Sequence, residues 1–379
     1  MPQRSDENAP NDLRTIAVPS TILAEIDRID FRLIELLTHR CDLSRQAFAA
    51  AGSAGITGLM HAQSERIRRV VIESAGAESK GTMNSESEDT VANWLRHAAS
   101  IGLENLHRSR VAYLGPRYSY SHLAAIEYFG DAAPTAALAT IPAVFESIIR
   151  CDSQAGIVPI ENSTDGRIVD TLGMFVRVDA KICGEVKLPI HHNLLSRSPR
   201  EKIREVHSKP QALSQCRTWL ANHLPGAKLV ECGSTTAAAQ LAASTPGLAA
   251  VASLEAARQY ELDVIDSAIE DNPNNVTRFA ILGREIAPPS GSDKTVILFQ
   301  VRHQPGALAD AMLVFKQANL NLTWIESFPL PQSSAEYLFF VETDGHATDE
   351  CVAGALTKLR AMTLRLSIIG SYPRAASVN

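Results

Sequence analysis

Apolar residues recur at intervals of three and four near the start of the chain: Ile22, Ile26, Ile29, Leu33, Leu36, Leu37 and Leu43. That spacing is the stripe of an amphipathic helix. Val91, Trp94, Leu95, Ala98, Ile101 and Leu106 repeat it. Between the two stripes, residues 73–90 ("ESAGAESKGTMNSESEDT") are small, polar and acidic, and read as a flexible linker or loop. Residues 1–19 read as a disordered tail, and residues 20–107 as an all-α helical bundle.

At residue 111 the pattern changes. The short apolar runs "VAYLG", "AGIVPI", "REVHS", "KLVECG", "LAAVAS" and "VTRFAILG" are separated by helical patterns such as "PAVFESIIR" and "PQALSQCRTWLANHL". Strand alternating with helix predicts an α/β domain with a largely parallel sheet, here over 110–284. The segment "EIAPPSGSD" (285–293) has linker composition. Beyond it the pattern predicts strand 294–302, helix 306–319, strands 321–328 and 335–343, helix 348–361 and strand 364–371. That βαββαβ order is the ferredoxin-like α+β arrangement, spanning 294–372. There are no tandem repeats.

The chain has 379 residues, too many for one ordinary core, with 45% hydrophobic and 21% charged residues. This is the mix of a soluble, multi-domain globular protein. A formal net charge of −6 and the lack of a basic stripe argue against a nucleic-acid partner. No apolar run reaches membrane-spanning length, and the polar N-terminus carries no signal-peptide core, so a cytoplasmic protein with no membrane partner is expected. The six cysteines show neither C-x-x-C nor zinc-ligand spacing and read as free buried thiols. His191 and His192 are adjacent in a strand-like run, so their rings should point to opposite faces and chelate poorly.

Candidate chemistry gathers in the α/β region. "VPIENSTDGRIV" (158–169) places Glu161, Asn162, Ser163 and Thr164 at the exit of a buried strand. Turn chemistry alone accounts for such residues. "GPRYSYSH" (115–122) and "GSTTAAAQLAA" (233–243) each join a strand to a helix. Ser and Thr there cap the helix, whose free N–H groups and positive dipole end accept a carboxylate. Two such ends in one domain admit a small dianionic ligand. "NNVTRFAILG" adds Thr277 and Arg278 at the start of a strand. In the helical region Arg40 lies on the apolar stripe, where a cation is costly unless paired or anion-bound; the alternative is a side chain that snorkels at the end of the bundle.

These motifs, in this order and spacing, resemble the bifunctional chorismate mutase/prephenate dehydratase family of phenylalanine biosynthesis. The resemblance is strongest over 111–283, through "GPRYSYSH", "VPIENSTDG", "HHNLL", "KPQALSQC", "STTAAA" and "IEDNPNNVTRF". It implies a two-lobed α/β dehydratase domain, similar to periplasmic-binding-protein lobes, that converts prephenate to phenylpyruvate without a metal or organic cofactor. It implies catalytic roles for Thr277, Glu161 and Asn162. It implies substrate contacts by Ser119, Ser121, Ser163, Ser234, Thr235 and Arg278. Residues 294–372 resemble the family's ACT regulatory domain, with L-phenylalanine as effector at Gly306, Ala307, Leu308, Glu326 and Ser327. There "ESFP" (326–329) stands where the family has Glu-Ser-Arg-Pro. A homodimer or homotetramer is implied.

The helical region departs further. Ungapped placement of the family's three helix-one cations lands on Leu23, Arg40 and Ala51. The next positions are His61, Ser64 and Glu65, so only Arg40 and Glu65 match, and the closing Gln falls near Glu104 or Asn105. Arg28, Arg32 or Arg45 could stand in, but one helical turn displaces a guanidinium by about 5 Å. The expectation is a dehydratase with weak or absent mutase activity. The alternatives are a fully bifunctional enzyme and a non-catalytic small-molecule sensor.

Overall fold

The computed structural model describes residues 20–77, 85–104, 110–329 and 337–375. Helix α1 (Ser20–Ala77) is a single rod, followed by α2 (Ser85–Glu104). The expected linker is therefore helical over 73–77 and again over 85–90; only its middle lies outside the described residues. Ala, Glu and Ser at the ends of this segment tolerate a helix when the flanking turns are already formed.

The first α/β lobe comprises β1 (Val111–Leu114), α3 (Tyr120–Phe129), β2 (Thr135–Leu138), α4 (Ile141–Ile149), β3 (Ala155–Asn162), β4 (Gly166–Arg167), α5 (Val169–Arg177) and β5 (Lys181–Pro189). The chain then crosses through residues 190–192 to a second lobe. This holds β6 (Asn193–Ser196), β7 (Glu205–Ser208), α6 (Pro210–Gln215), α7 (Arg217–His223), β8 (Lys228–Glu231), α8 (Thr235–Ser244), β9 (Leu248–Ala252), α9 (Leu254–Tyr260) and β10 (Asp263–Asp266). It returns through 267–275 to β11 (Val276–Gly283), which inserts between β3 and β5 of the first lobe. The C-terminal unit is β12 (Asp293–Gln300), α10 (Ala307–Gln317), β13 (Leu322–Pro329), β14 (Tyr337–Asp344), α11 (Glu350–Met362) and β15 (Arg365–Pro373). The sequence pattern missed β2, β4, β5, β6 and β10 as strands.

The second lobe has its own sheet, ordered β10-β6-β9-β7-β8, in which β7, β8 and β9 are parallel. The first lobe and the C-terminal unit share one sheet, ordered β13-β14-β12-β15-β5-β11-β3-β1-β2. They join where Gly370 of β15 sits beside Ile182 of β5. A side chain at 370 would place its Cβ 2.5 Å from the Ile182 carbonyl oxygen, so only glycine lets the strands close. The helical region is joined too: Phe48 and Met60 of α1 are buried in the same core as Phe129, Val144 and Phe145. All six cysteines are free; Cys41, Cys183 and Cys216 are buried, but Cys232 is half-buried and Cys151 and Cys351 are exposed. Among the described residues no helix is long and apolar enough to cross a membrane.

Candidate active site

Strand geometry decides where the polar residues of "ENS" and "TRF" go. Successive side chains point to opposite faces of a sheet. In the β3–β11 pairing, Asn162 stands opposite Thr277 and Glu161 opposite Arg278. The two motifs are thereby split into a front pair and a back pair.

The front pair is buried, and the Asn162 amide is fully hydrogen-bonded. Asn162 Nδ2 donates to Thr277 Oγ1 at 2.9 Å and to Asn275 Oδ1 at 2.8 Å. Its Oδ1 accepts from the backbone N–H of Thr164 at 2.9 Å and of Asp165 at 3.0 Å. Those four bonds fix the amide's orientation. Thr277 Oγ1 accepts from Asn162, which leaves its own proton free to donate elsewhere.

Over this pair lies a cleft of about 820 Å³ between the two lobes. Ser119, Ser121, Ser234 and Thr235 line it together with Asn162 and Thr277. Ser119 caps α3, its Oγ accepting from His122 N at 3.4 Å, and Ser234 caps α8, its Oγ accepting from Ala237 N at 3.0 Å. Thus one helix N-terminus from each lobe faces the same space, each carrying unpaired N–H groups and a positive dipole end. Lys209 and Arg177 also line the cleft and supply cations.

His192 lines the cleft as well, whereas His191 on the opposite side is exposed. His192 Nε2 sits 2.8 Å from Gln215 Oε1, an acceptor that also receives Asn275 Nδ2 at 2.9 Å. Nε2 therefore carries the proton. Burial pushes the His192 pKa down, with the Gln215 hydrogen bond opposing, so the ring is neutral. Gln215 Nε2 donates to Asp165 Oδ2 at 2.8 Å. Gln215 of the second lobe is thus tied to Asp165 and Asn275 across the cleft floor.

The back pair belongs to a buried ion cluster. Arg278 Nη1 lies 2.7 Å from Glu342 and 3.4 Å from Glu185, and its Nε lies 3.3 Å from Glu161. Lys294 sits 3.2 Å from Glu185 and 3.3 Å from Glu342. Arg167 pairs with Glu161 and stacks on Trp324, with 4.3 Å from guanidinium to ring centroid. Burial opposes ionisation of Glu342, but Arg278 and Lys294 outweigh it and hold the carboxyl at about 2. Burial likewise works against the charge on Arg278, yet the neighbouring acidic groups raise its pKa.

Of the residues expected to face substrate, Glu161, Ser163 and Arg278 are placed outside the cleft lining. Glu161 and Arg278 point to the back of the sheet because they alternate with Asn162 and Thr277. Ser163 is not among the cleft-lining residues; its Oγ accepts from Val276 N at 2.9 Å and donates to Asn274 O at 3.1 Å. Sequence reasoning left His192 open as structural or substrate-facing, and did not single out Lys209 or Gln215. All lie inside motifs it did quote, "HHNLL" and "KPQALSQC", so the signal was present.

Elsewhere, Gly306 opens α10 in the left-handed region, with φ 85°. Ala307 and Leu308 line a smaller cavity of about 140 Å³. Glu326 and Ser327 lie on β13, the outermost strand of the large sheet, and do not line that cavity. In α1, Arg40 is half-buried, burial lowers its pKa, and its Nη1 has no hydrogen-bond partner among the described residues. Leu23 is exposed, Arg28 pairs with Glu25 and Arg45 with Asp42. The side chains of Ala51, His61, Ser64, Glu65 and Glu104, and residue Asn105 as a whole, lie outside the described residues.

A family model for prephenate dehydratase matches residues 111–287, the span that holds the cleft. The bifunctional chorismate mutase/prephenate dehydratase of Aquifex aeolicus is 37% identical over 352 residues, covering 93% of this chain and 96% of that protein. This chain belongs to the bifunctional chorismate mutase/prephenate dehydratase family. Among solved structures, a prephenate dehydratase from Arthrobacter aurescens in complex with L-Phe aligns with a TM-score of 0.65 and 31% identity, over 70% of this chain and 90% of that one. GqqA, described as a novel type of quorum quenching acylase, aligns with a TM-score of 0.64 and 28% identity, over 70% of this chain and 98% of that one. The dehydratase fold thus carries more than one described activity, and chemistry has to be argued from the site.

Proposed function

We propose that this prephenate dehydratase performs its reaction in the cleft between the lobes, with Thr277 as the group that acts on the departing hydroxyl. Prephenate loses its ring carboxylate as CO₂ and its ring hydroxyl as water. The C–C bond to the carboxylate breaks, its electron pair enters the ring, and the C–O bond breaks on the far side. The leaving oxygen takes up a proton, and the ring becomes aromatic. A hydroxide is a poor leaving group unless it is hydrogen-bonded or protonated as it departs. The observation that carries the assignment is the Asn162-to-Thr277 bond of 2.9 Å, which orients the Thr277 hydroxyl and leaves its proton for the cleft. Asn162 is the positioning residue. Ser119, Ser121, Ser234, Thr235 and the two helix N-termini seat the carboxylates, with Lys209 as the cation that Arg278 was expected to be.

The C-terminal unit acts as an ACT regulatory domain, with L-phenylalanine bound near Gly306, Ala307 and Leu308. Its βαββαβ order, the glycine turn and the small cavity beside it support that reading, as does the L-Phe complex of the Arthrobacter relative. Phe328 in place of arginine predicts altered inhibition. The N-terminal helices act as a mutase-like domain of weak or no activity, because Leu23 and Ala51 supply no cation where the family has one. One observation favours the fully bifunctional alternative: the match to the Aquifex protein extends over 93% of this chain, helices included. A second copy of the chain covers the apolar face of α1, where Ile22, Ile26, Ile29 and Leu33 are all about half exposed.

The test is a split assay on the purified protein. Prephenate is supplied and phenylpyruvate followed; separately, chorismate is supplied and its loss followed. Turnover of prephenate that Thr277→Ala abolishes supports the reading. A Thr277→Ala enzyme with wild-type turnover sinks it, and rapid loss of chorismate sinks the weak-mutase part alone.

A further inference from the structure

The cleft has a wall that does not come from the dehydratase span. Phe328 of β13 lines it, although the family match ends at residue 287. Its ring reaches α5, with Cζ 3.4 Å from the position a Cβ would occupy on Gly173. On its other side it packs edge-to-face on Phe340, at 6.3 Å between centroids and 82° between planes. A Cβ at 173 would meet the ring at ordinary van der Waals distance, so the ring lies directly against the α5 backbone.

The same face of β13 touches the site a second time. Residues two apart on a strand share a face, so Trp324, Glu326 and Phe328 point the same way. Trp324 stacks on Arg167 and lies 5.7 Å from the Arg278 guanidinium, directly behind Asn162 and Thr277. β13 therefore backs the catalytic strands at one end and enters the substrate cleft at the other.

We propose that Phe328 is a specificity-determining residue of the dehydratase site, and that its ring is the surface on which the six-membered ring of the substrate packs. This rests on the reading of the cleft given above. The polar groups already assigned account for the substrate's carboxylates and hydroxyl, and leave its ring to be held by apolar contacts. Phe279 and Met174 also line the cleft, but Phe328 alone is carried by the C-terminal unit. A change in the position of β13 would then alter ring binding directly, without first distorting Thr277.

Steady-state kinetics on the full-length protein test this, comparing wild type with Phe328→Ala and Phe328→Leu. Loss of an aromatic partner corresponds to about 2- to 12-fold in binding. Phe328→Ala is expected to weaken inhibition by phenylpyruvate, whose ring is aromatic, by that factor and to raise KM for prephenate, whose ring is not, by less, with kcat little changed and Phe328→Leu falling between. The deciding readout is inhibition by two 2-oxo acids, phenylpyruvate and the ringless pyruvate. Weaker inhibition by phenylpyruvate with unchanged inhibition by pyruvate supports the proposal. Unchanged KM and inhibition in Phe328→Ala overturn it, as does an equal loss for both acids, which marks a merely structural role. Failure of the cleft assignment shows separately, as full activity of Thr277→Ala with the wild-type Phe328 in place.

Discussion

The two faces of the β3–β11 strand pair differ by one residue in sequence and by everything in environment. On the front, Asn162 and Thr277 meet an open cleft and are linked by a neutral hydrogen bond. On the back, Glu161 and Arg278 enter a buried cluster shared with Glu185, Lys294 and Glu342 of the adjoining strands. The front keeps a donor proton unspent and leaves room for a ligand. The back spends its charges on one another. The strand pair that lines the cleft is thus backed by ion pairs that lie outside the cleft lining. Because Glu342 and Lys294 belong to the C-terminal unit, the same ions fasten that unit to the back of the site.

The sharpest way to break the comparison is to remove the front hydroxyl. Thr277→Ala is expected to lower kcat about 10²- to 10³-fold, the usual cost of deleting one preorganised donor, with the thermal midpoint unchanged. Phenylpyruvate formation and a melting curve on the same sample check it. Asn162→Ala should cost less, about 10- to 100-fold, because it misplaces the donor without removing it. The matched back-face change, Glu161→Gln, should retain most of the turnover and show its effect in the melting curve. Equal losses of turnover at Glu161 and Asn162 would erase the distinction between the faces.

Removing the charge on Glu342 probes the back alone. Breaking a buried ion pair from one side costs about 3–5 kcal/mol, so Glu342→Gln should lower unfolding stability by that order while the free enzyme still binds prephenate. The pH dependence has a definite sign. The folded carboxyl titrates at about 2 and the unfolded one near about 4.3. The unfolded chain therefore takes up the proton first. This contribution is complete above about pH 4.5 and is lost as the pH falls toward 2. Urea melts across that range should show a steeper acid loss in wild type than in Glu342→Gln. The smallest effect concerns the first lobe. Burial, aided by Arg117, lowers His122 to about 4, so its ring resonances in NMR should stay those of neutral imidazole through pH 5.

The α/β lobes and the C-terminal βαββαβ unit were legible because their apolar runs are short, periodic and bounded by turn residues. Strands β2, β4, β5, β6 and β10 were not, and β6 shows why. Its residues Asn193–Ser196 are all buried, so no polar alternation marks them. The linker at 73–90 was misread because composition describes an isolated segment, whereas a formed helix extends into tolerant neighbours. The site was half legible. Ser119, Ser121, Asn162, Ser234, Thr235 and Thr277 announced themselves through helix caps and family motifs, and the fold brings them to one cleft. Glu161 and Arg278 announced themselves equally well and face away. Phe328 lies 51 residues beyond Thr277, outside every dehydratase motif, and carried no signal for the cleft.

By itself, then, the sequence determined the order of the elements, the capped helix ends and the chemical types available to hold and dehydrate a dianion. These depend on local periodicity and on residues within one turn of each other. Which of two neighbouring polar residues meets substrate, and which strand from another unit completes the cleft, were decided only by the tertiary structure. Sheet register fixes the side to which each side chain points, and register is set by pairings between segments more than a hundred residues apart, such as Asn162 with Thr277.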